Sequence, residues 1–296
     1  MTNWLVAMPR RRRLRLAIGC GIAIVAWFAA GLGAAHMATR ARPGAVAPLT
    51  TWHGHSVEPV QVVAADGVVG HGWMMVPAGA QECVVLAAGI GGHRGAMLER
   101  ATFWLARGTA TLLVDLRGTG ESTAPRLSMG FHEALDLAAW HAWARTRGFP
   151  RVGVHGVSLG ASAAAYTAVR CDVAPAWSFA VLEACYVDIR SALYARLPWL
   201  PAVALWPMVA ASEWLLGVDA DELSPERAIA RLSAPTLLVC GDEDRKVGPD
   251  AAARLRAASG ASLVRQHVVR GAAHVDLWPR DAAGISAAIE ELLRAR

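Results

Sequence analysis

Lysine is almost missing from this chain of 296 residues, and Lys246 is its only example. No tyrosine stands four residues before Lys246, so a short-chain reductase with a Tyr-x-x-x-Lys pair is excluded. The five cysteines show neither C-x-x-C spacing nor a cluster with histidine, and no H-E-x-x-H motif occurs. The sequence therefore predicts no metal site.

Acidic residues are missing from the first 57 positions, where seven arginines lie. The formal net charge of the whole chain is +5, and without these seven arginines it falls to about −2. The net positive charge of the chain thus comes from its N-terminal segment. It gives no support to nucleic-acid binding by the remaining chain, and no nucleic-acid partner is predicted.

A run of twenty uncharged residues, 16–35, follows the first five arginines. As a helix it would be about 30 Å long, which matches the hydrocarbon core of a membrane. We predict a transmembrane anchor or signal sequence, and favour the anchor because the apolar region of a cleaved signal is usually shorter. The excess of arginine before this run predicts a cytoplasmic basic segment at 1–15 and an extracytoplasmic main domain, secreted if the signal is cleaved. Residues 36–56 are predicted to be a linker.

The remaining chain, 57–296, alternates short apolar runs with helical patterns. Two runs flank the Asp66-Gly67 turn signal and predict an N-terminal antiparallel hairpin. The repeated strand-helix units that follow predict an α/β fold with a mostly parallel central sheet and helices on both faces. In such sheets, functional groups gather at the carboxyl ends of the strands.

The segment 151–170 predicts a strand, a sharp turn and a helix, with the sequence GVSLG at 156–160. Glycines on both sides of Ser158 allow a tight turn that exposes the serine hydroxyl, as a nucleophile requires. The first N–H groups of the following helix would face the same space and stabilise an oxyanion. An ordinary glycine-rich turn with a helix-capping serine has the same pattern, so an acid and a histidine must follow.

Both partners follow in the order that a hydrolase triad requires. Asp244 comes just after an apolar run, and His274 follows the next one. A carboxylate at Asp244 would orient the imidazole of His274 toward Ser158. Neighbouring acids at 242, 243 and 250 are alternatives to Asp244.

This ordered pattern resembles the α/β-hydrolase family over 57–296, and within it the membrane-anchored, serine-aminopeptidase-like bacterial hydrolases. The resemblance also includes the loop DLRGTGES at 115–122. It implies a lid insertion at about 186–232 and an oxyanion hole made by the backbone N–H groups of Ile90 and Leu159. Gly91 is an alternative to Ile90, because the loop begins Ala-Gly where the family commonly has His-Gly.

The predicted function is that of a serine hydrolase that cleaves a carboxylic ester through an acyl-enzyme, with Ser158, Asp244 and His274 as its triad. No cofactor is needed. The expected substrate is a small ester or lipid-like molecule, and the expected membrane contact is the N-terminal helix. An aminopeptidase or amidase of the same fold, or a non-catalytic binding protein, is the alternative. A free amino terminus would need an acidic anchor, for which Glu183 and Glu213 are the candidates.

The predicted lid contains an uncharged stretch, 197–212, with three prolines. Trp199, Trp206 and Trp214 in this region are candidates for an apolar acyl-binding surface. The same side chains would also suit contact with a bilayer surface or packing of the lid against the main domain.

A dinucleotide-binding fold is the enzymatic alternative. Glycines at 89, 91 and 95 follow a predicted strand, and Asp115 ends the next one. However, the third glycine is one residue late for the G-x-G-x-x-G fingerprint.

Overall fold

The computed structural model describes residues 9–248, 250–274 and 276–296. They form two compact units. One unit contains the N-terminal residues through Thr39 together with Trp199–Val218, and the other contains Arg40–Pro198 together with Asp219–Arg296. We call them the helical unit and the hydrolase unit. The predicted lid is thus divided between them.

The described residues form twelve strands and nine α-helices. The strands are β1 (Arg42–Pro43), β2 (Thr51–Trp52), β3 (His55–Ser56), β4 (Glu58–Val63), β5 (Val69–Met75), β6 (Glu82–Ala87), β7 (Ala110–Val114), β8 (Thr119–Gly120), β9 (Arg151–Val157), β10 (Ala180–Glu183), β11 (Thr236–Gly241) and β12 (Val264–Val269). The helices are α1 (Arg10–Thr39), α2 (Leu98–Ala106), α3 (Glu133–Thr146), α4 (Leu159–Arg170), α5 (Ile189–Arg196), α6 (Ala202–Leu216), α7 (Pro225–Ile229), α8 (Ala251–Ala258) and α9 (Leu277–Ala295).

The main sheet has eight strands in the order β12-β11-β10-β9-β6-β7-β5-β4. Six of them, from β12 to β7, run parallel, while β5 is antiparallel to β7 and β4 to β5. The predicted α/β fold with its N-terminal hairpin is confirmed. Because β9 is central, a residue at its carboxyl end lies at the middle of the sheet edge.

Helices cover both faces of this sheet, which explains the continuous apolar runs of its central strands. Every residue of β6, β7, β10 and β11 is buried. One face packs around Trp140 and Tyr166, and the other around Trp104 and Phe179. Burial of each such large side chain stabilises the fold by roughly 1.5–3 kcal/mol.

The segment predicted as a linker, 36–56, contains the end of α1 and the short strands β1, β2 and β3. Helix α1 continues to Thr39, and β1 pairs in parallel with β8. The N–H of Arg42 donates to Gly118 O at 2.7 Å, and the N–H of Gly44 donates to Gly120 O at 2.8 Å. Backbone hydrogen bonds to a loop 75 or more positions away in the chain carry no local sequence signal.

Helix α1 of the helical unit contains the predicted anchor 16–35 and extends it at both ends. Its length and composition are sufficient for it to cross a membrane, and a signal sequence has the same properties. Helix α6 is a shorter apolar helix of the same unit.

Candidate active site

Ser158 occupies the turn between β9 and α4 with φ 50° and ψ −103°. Such a conformation costs a non-glycine residue about 1–3 kcal/mol and is held only when the surroundings force it. Two glycines make the turn possible. A Cβ on Gly156 would overlap the backbone of Gly160, and a Cβ on Gly160 would overlap the carbonyl of Ala87. The glycines therefore allow strand and helix to approach closely enough to present the serine.

The backbone of Ser158 is held on both sides. Its N–H donates to the carbonyl oxygen of Glu183 at 2.8 Å, at the end of the neighbouring strand β10. Its own carbonyl oxygen accepts from the N–H of Ser162 at 3.0 Å, in the first turn of α4. The strained turn is thus anchored to the sheet and to the helix at once.

The structure brings Ser158, His274 and Asp244 into one hydrogen-bonded chain. Ser158 Oγ lies 2.8 Å from His274 Nε2, and His274 Nδ1 lies 2.8 Å from Asp244 Oδ2. Because an ionised carboxylate only accepts, Nδ1–H donates to Asp244 and Nε2 accepts the hydroxyl hydrogen of Ser158. Asp244 and His274 are buried, and Ser158 is half-buried. This arrangement has the geometry of a nucleophile, a base and an orienting acid.

The Asp244 carboxylate is held in its ionised form. Burial raises its pKa, whereas the hydrogen bond and charge of His274 lower it. The N–H groups of Lys246 and Val247 add to this, donating to Oδ1 at 2.9 Å and 3.3 Å. The net pKa of Asp244 is below its ordinary value.

The other candidate acids have different contacts. Asp242 Oδ1 accepts from the N–H of Gly271 at 2.6 Å, and the N–H of Glu243 donates to Ala272 O at 3.1 Å. Both residues therefore join the acid loop to the loop that carries His274. Asp250 lies exposed at the start of α8.

The residues predicted for the oxyanion hole flank Ser158. Leu159 is the first residue of α4, so its N–H has no acceptor within the helix. A Cβ on Gly89 would be 3.3 Å from Ser158 Cβ, and the turn that follows is closed by the N–H of Gly92 donating to Gly89 O at 3.0 Å. Ile90 and Gly91 lie in this turn. The choice between them stays a prediction.

A buried charged network lies beside the serine turn, and the sequence did not reveal it. Arg100 donates to Glu183 at 2.8 Å and 2.5 Å. Trp104 Nε1–H donates to His155 Nδ1 at 3.2 Å, so the ring proton of His155 is on Nε2, which donates to Glu183 Oε1 at 2.6 Å. Burial lowers the pKa of His155 and keeps it neutral. Burial raises the pKa of Glu183, but Arg100 and His155 outweigh it and lower this pKa to about 2.

Asp115, the first residue of the loop 115–122, is fully buried. Its Oδ1 accepts from the N–H of Arg94 at 2.6 Å, and its Oδ2 accepts from the guanidinium of Arg94 and from the N–H of Glu121 at 3.0 Å. A ribose-binding acid must reach the ligand. The structure therefore contradicts the dinucleotide-binding alternative.

The predicted acyl-binding tryptophans lie in the helical unit. Trp199, Trp206 and Trp214 are 71%, 54% and 76% exposed. Trp206 packs there against the rings of Trp27 and Phe28.

Residues 96–290 match the sequence profile of Peptidase_S9, the prolyl oligopeptidase family. The chain belongs to the prolyl oligopeptidase family. The predicted α/β-hydrolase membership is confirmed, and this family member is a serine hydrolase. The finer resemblance to the serine-aminopeptidase-like group stays a prediction. No curated protein matches the chain by sequence.

Solved structures of hydrolases share the fold of this family member. The Pyrococcus furiosus esterase Pf2001 has a TM-score of 0.67 and 19% identity, over 86% of this chain and 98% of the esterase. Est1E from Butyrivibrio proteoclasticus, with ferulic acid bound, has a TM-score of 0.62 and 16% identity, over 80% and 98%. The α/β hydrolase GrgF from Penicillium sp. sh18 has a TM-score of 0.61 and 16% identity, over 81% and 98%.

Proposed function

We propose that this chain is a membrane-anchored serine esterase in which Ser158, His274 and Asp244 act as a catalytic triad. The observation that carries the proposal is the continuous hydrogen-bonded chain from Ser158 through His274 to Asp244, together with the strained backbone of the serine. A structural serine needs neither a base at its hydroxyl nor this backbone conformation.

The reaction follows from these positions. His274 Nε2 takes the proton of Ser158 as Oγ attacks the ester carbonyl carbon, and Asp244 stabilises the imidazolium. The N–H groups of Leu159 and Ile90 bind the oxyanion. When the tetrahedral intermediate collapses, the alkoxide leaves with the proton from His274, and Ser158 remains acylated. Water then attacks the acyl-enzyme with His274 as its base, which releases the acid and restores the serine.

The contacts of Glu183 favour an ester over an aminopeptidase substrate. An acidic anchor must reach the substrate's free amino group, but the Glu183 carboxylate is fully buried and bound to Arg100 and His155. One of the two acids that the sequence offered for this task is thus already used inside the protein.

An amidase or peptidase of the same fold is the second candidate. The match to a family of peptidases supports it. An amide's leaving nitrogen is a poorer leaving group than an alkoxide and must be protonated by His274 before it departs.

The proposed location is a membrane, with α1 as a retained anchor. The arginine cluster at 10–15 precedes the apolar part of α1, which favours a cytoplasmic N-terminus and an extracytoplasmic hydrolase unit. The substrate is proposed to be a small or lipid-like ester with an apolar acyl group.

Labelling of the full chain in detergent with a fluorophosphonate probe tests the nucleophile. We expect labelling of the wild type and of Ser262→Ala, an exposed serine elsewhere, and none of Ser158→Ala. Labelling that survives Ser158→Ala would refute the proposed nucleophile. p-Nitrophenyl esters of increasing chain length, compared with p-nitroanilides of free and blocked amino acids, then test the substrate class. Faster turnover of the anilides would favour the second candidate, and a preference for acetyl esters would refute the apolar acyl group.

A further inference from the structure

Helix α6 has an apolar surface that is unusual for a helix in water. Its fifteen residues contain a single charged side chain, Glu213, and no charge occurs from 197 to 212. Trp206 and Val203 on this helix are more than half exposed, as is Trp199 just before it. A soluble surface helix normally places polar residues on its exposed face.

Helix α6 packs against one side of α1. The buried residues of α1 are Gly31, Ala35 and Thr39, which are spaced by four and therefore share one face. A Cβ on Gly31 would be 2.5 Å from Pro207 Cβ and 2.9 Å from the backbone nitrogen of Met208. Small residues at such spacing allow the close backbone approach by which helices associate in membranes.

Polar groups of the two helices are satisfied inside the pair. Pro207 has no N–H to donate to the carbonyl of Val203 one turn earlier in α6. The carbonyl of the adjacent Ala204 accepts from Trp27 Nε1–H of α1 at 3.0 Å. The Thr39 hydroxyl donates to Ala35 O at 2.9 Å, and the Ser212 hydroxyl donates to Met208 O at 2.8 Å. Partners from a neighbouring helix or from the helix itself are what a proline-containing helix needs where water is absent.

The exposed apolar surfaces of α1 and α6 are continuous. The Trp206 ring lies 6.3 Å from Trp27 and 5.7 Å from Phe28, and both Trp206 and Phe28 remain exposed. Further along α1, exposed Ile22 and Val25 extend the same kind of surface. Because the two surfaces are continuous, the medium that surrounds α1 also contacts α6. With α1 as the proposed membrane anchor, this medium is lipid.

The length of α6 limits its depth. Fifteen helical residues span about 22 Å, less than the roughly 30 Å of a hydrocarbon core. Its contacts with α1 include Trp27, Phe28 and Gly31, in the half of α1 away from the arginine cluster at 10–15. Helix α6 is thus too short to cross the hydrocarbon core along the membrane normal, and it lies beside the half of α1 that is away from the arginine cluster.

We propose that α6 is a second membrane-inserted element, docked on the C-terminal half of α1 with its exposed face against lipid acyl chains. The proposal rests on the proposed anchor role of α1. Since the chain enters and leaves α6 from Pro198 and Asp219 of the hydrolase unit, this insertion would fasten the segment between β10 and β11 to the membrane.

Nitroxide accessibility in liposomes tests the proposal on the full chain. The label is placed at Val203 in a Cys20→Ser, Cys171→Ser background, since the other three cysteines are buried. Two valines of similar exposure are references: Val25 of α1 at 69% and Val173 of the hydrolase unit at 86%, against 66% for Val203. Oxygen concentrates in lipid, whereas a polar nickel chelate stays in water.

At Val203 we expect high oxygen and low nickel accessibility, as at Val25, with the reverse at Val173. High nickel accessibility at Val203 overturns the proposal, and so does low accessibility to both reagents, which indicates burial by protein. If Val25 is also accessible to nickel, both the proposed anchor role of α1 and the proposed insertion of α6 are refuted. Fluorophosphonate labelling of Ser158 in the same samples tests the proposed chemistry separately.

A matched glycine pair tests the docking. Gly31→Leu should push α6 away from α1 and raise nickel accessibility at Val203 about threefold or more. Gly33→Leu should not, since a Cβ there meets nothing within 4 Å. Equal effects of the two substitutions would overturn the docking.

Discussion

The backbone carbonyl oxygen of Glu183 accepts the N–H of Ser158 at 2.8 Å. The carboxylate of the same Glu183 is buried and bound to Arg100 and His155. The strained serine turn is therefore tied to an internal ion pair whose members lie 83 positions apart in the chain.

Glu183→Gln should destabilise the hydrolase unit by about 3–5 kcal/mol, because it leaves the charge of Arg100 buried without its partner. The substitution should also lower kcat, since the Glu183 backbone positions Ser158. Chemical denaturation and ester kinetics on the same sample measure both effects. As a control, Glu58→Gln breaks the exposed pair with Arg147 and should cost about 0–1 kcal/mol. An equal decrease in the free energy of unfolding for the two variants would contradict the structural role of Glu183.

Asp244→Asn should lower kcat by about 10⁴, because an asparagine amide favours the wrong tautomer of His274. Asp242→Asn, two positions away, should retain most of the activity. Its side-chain oxygen can still accept from the N–H of Gly271. Steady-state kinetics compares the two variants, and a similar loss in both would argue against Asp244 as the orienting acid.

The free energy of unfolding should fall as the pH drops below neutral. The pKa of His155 is lowered from 6.5 in the folded protein, so below about pH 6.5 the unfolded chain binds a proton that the folded one does not. The pKa of Glu183 is lowered from 4.5 to about 2, so its contribution is complete above pH 4.5 and is lost as the pH falls toward 2.

Urea unfolding at pH 7, 5.5 and 4 measures this slope. His155→Gln keeps a donor for Glu183 and an acceptor for Trp104 but cannot titrate. It should flatten the slope between pH 7 and 5.5, and an unchanged slope would show that other groups cause it.

Gly160→Ala should prevent the serine turn from forming, because the new Cβ would overlap the Ala87 carbonyl. We expect a loss of about 1–3 kcal/mol or more and loss of fluorophosphonate labelling. Gly44→Ala is the matched change, since a Cβ there meets nothing within 4 Å. Normal labelling of Gly160→Ala would contradict the close approach of α4 to β6.

Local sequence patterns were sufficient to predict the fold and the position of the serine turn within it. The GVSLG turn at 156–160 is encoded by adjacent glycines, a β-branched strand and an alanine-rich helix, which need no distant partner to be recognised. The apolar run 16–35 is recognised by length and composition alone, and it lies within α1. Because these features depend on residues that are close together in the chain, the sequence alone predicts them.

Other features depended on residues that meet only after folding. Asp242 and Asp244 share one loop, and only the positions of Gly271 and His274 distinguish them. The sequence offers Glu183 as a possible substrate anchor, but in the folded protein its carboxylate is bound to Arg100 and His155.

The same limit applies at and beyond the C-terminal half of α1. The composition of residues 36–56 predicts a linker, and the structure pairs β1 of this segment with β8. Helix α6 looked like part of a lid, although Pro207 packs on Gly31. A backbone hydrogen bond or a helix contact across many positions leaves no periodicity in either partner's sequence, and so tertiary structure alone decided these points.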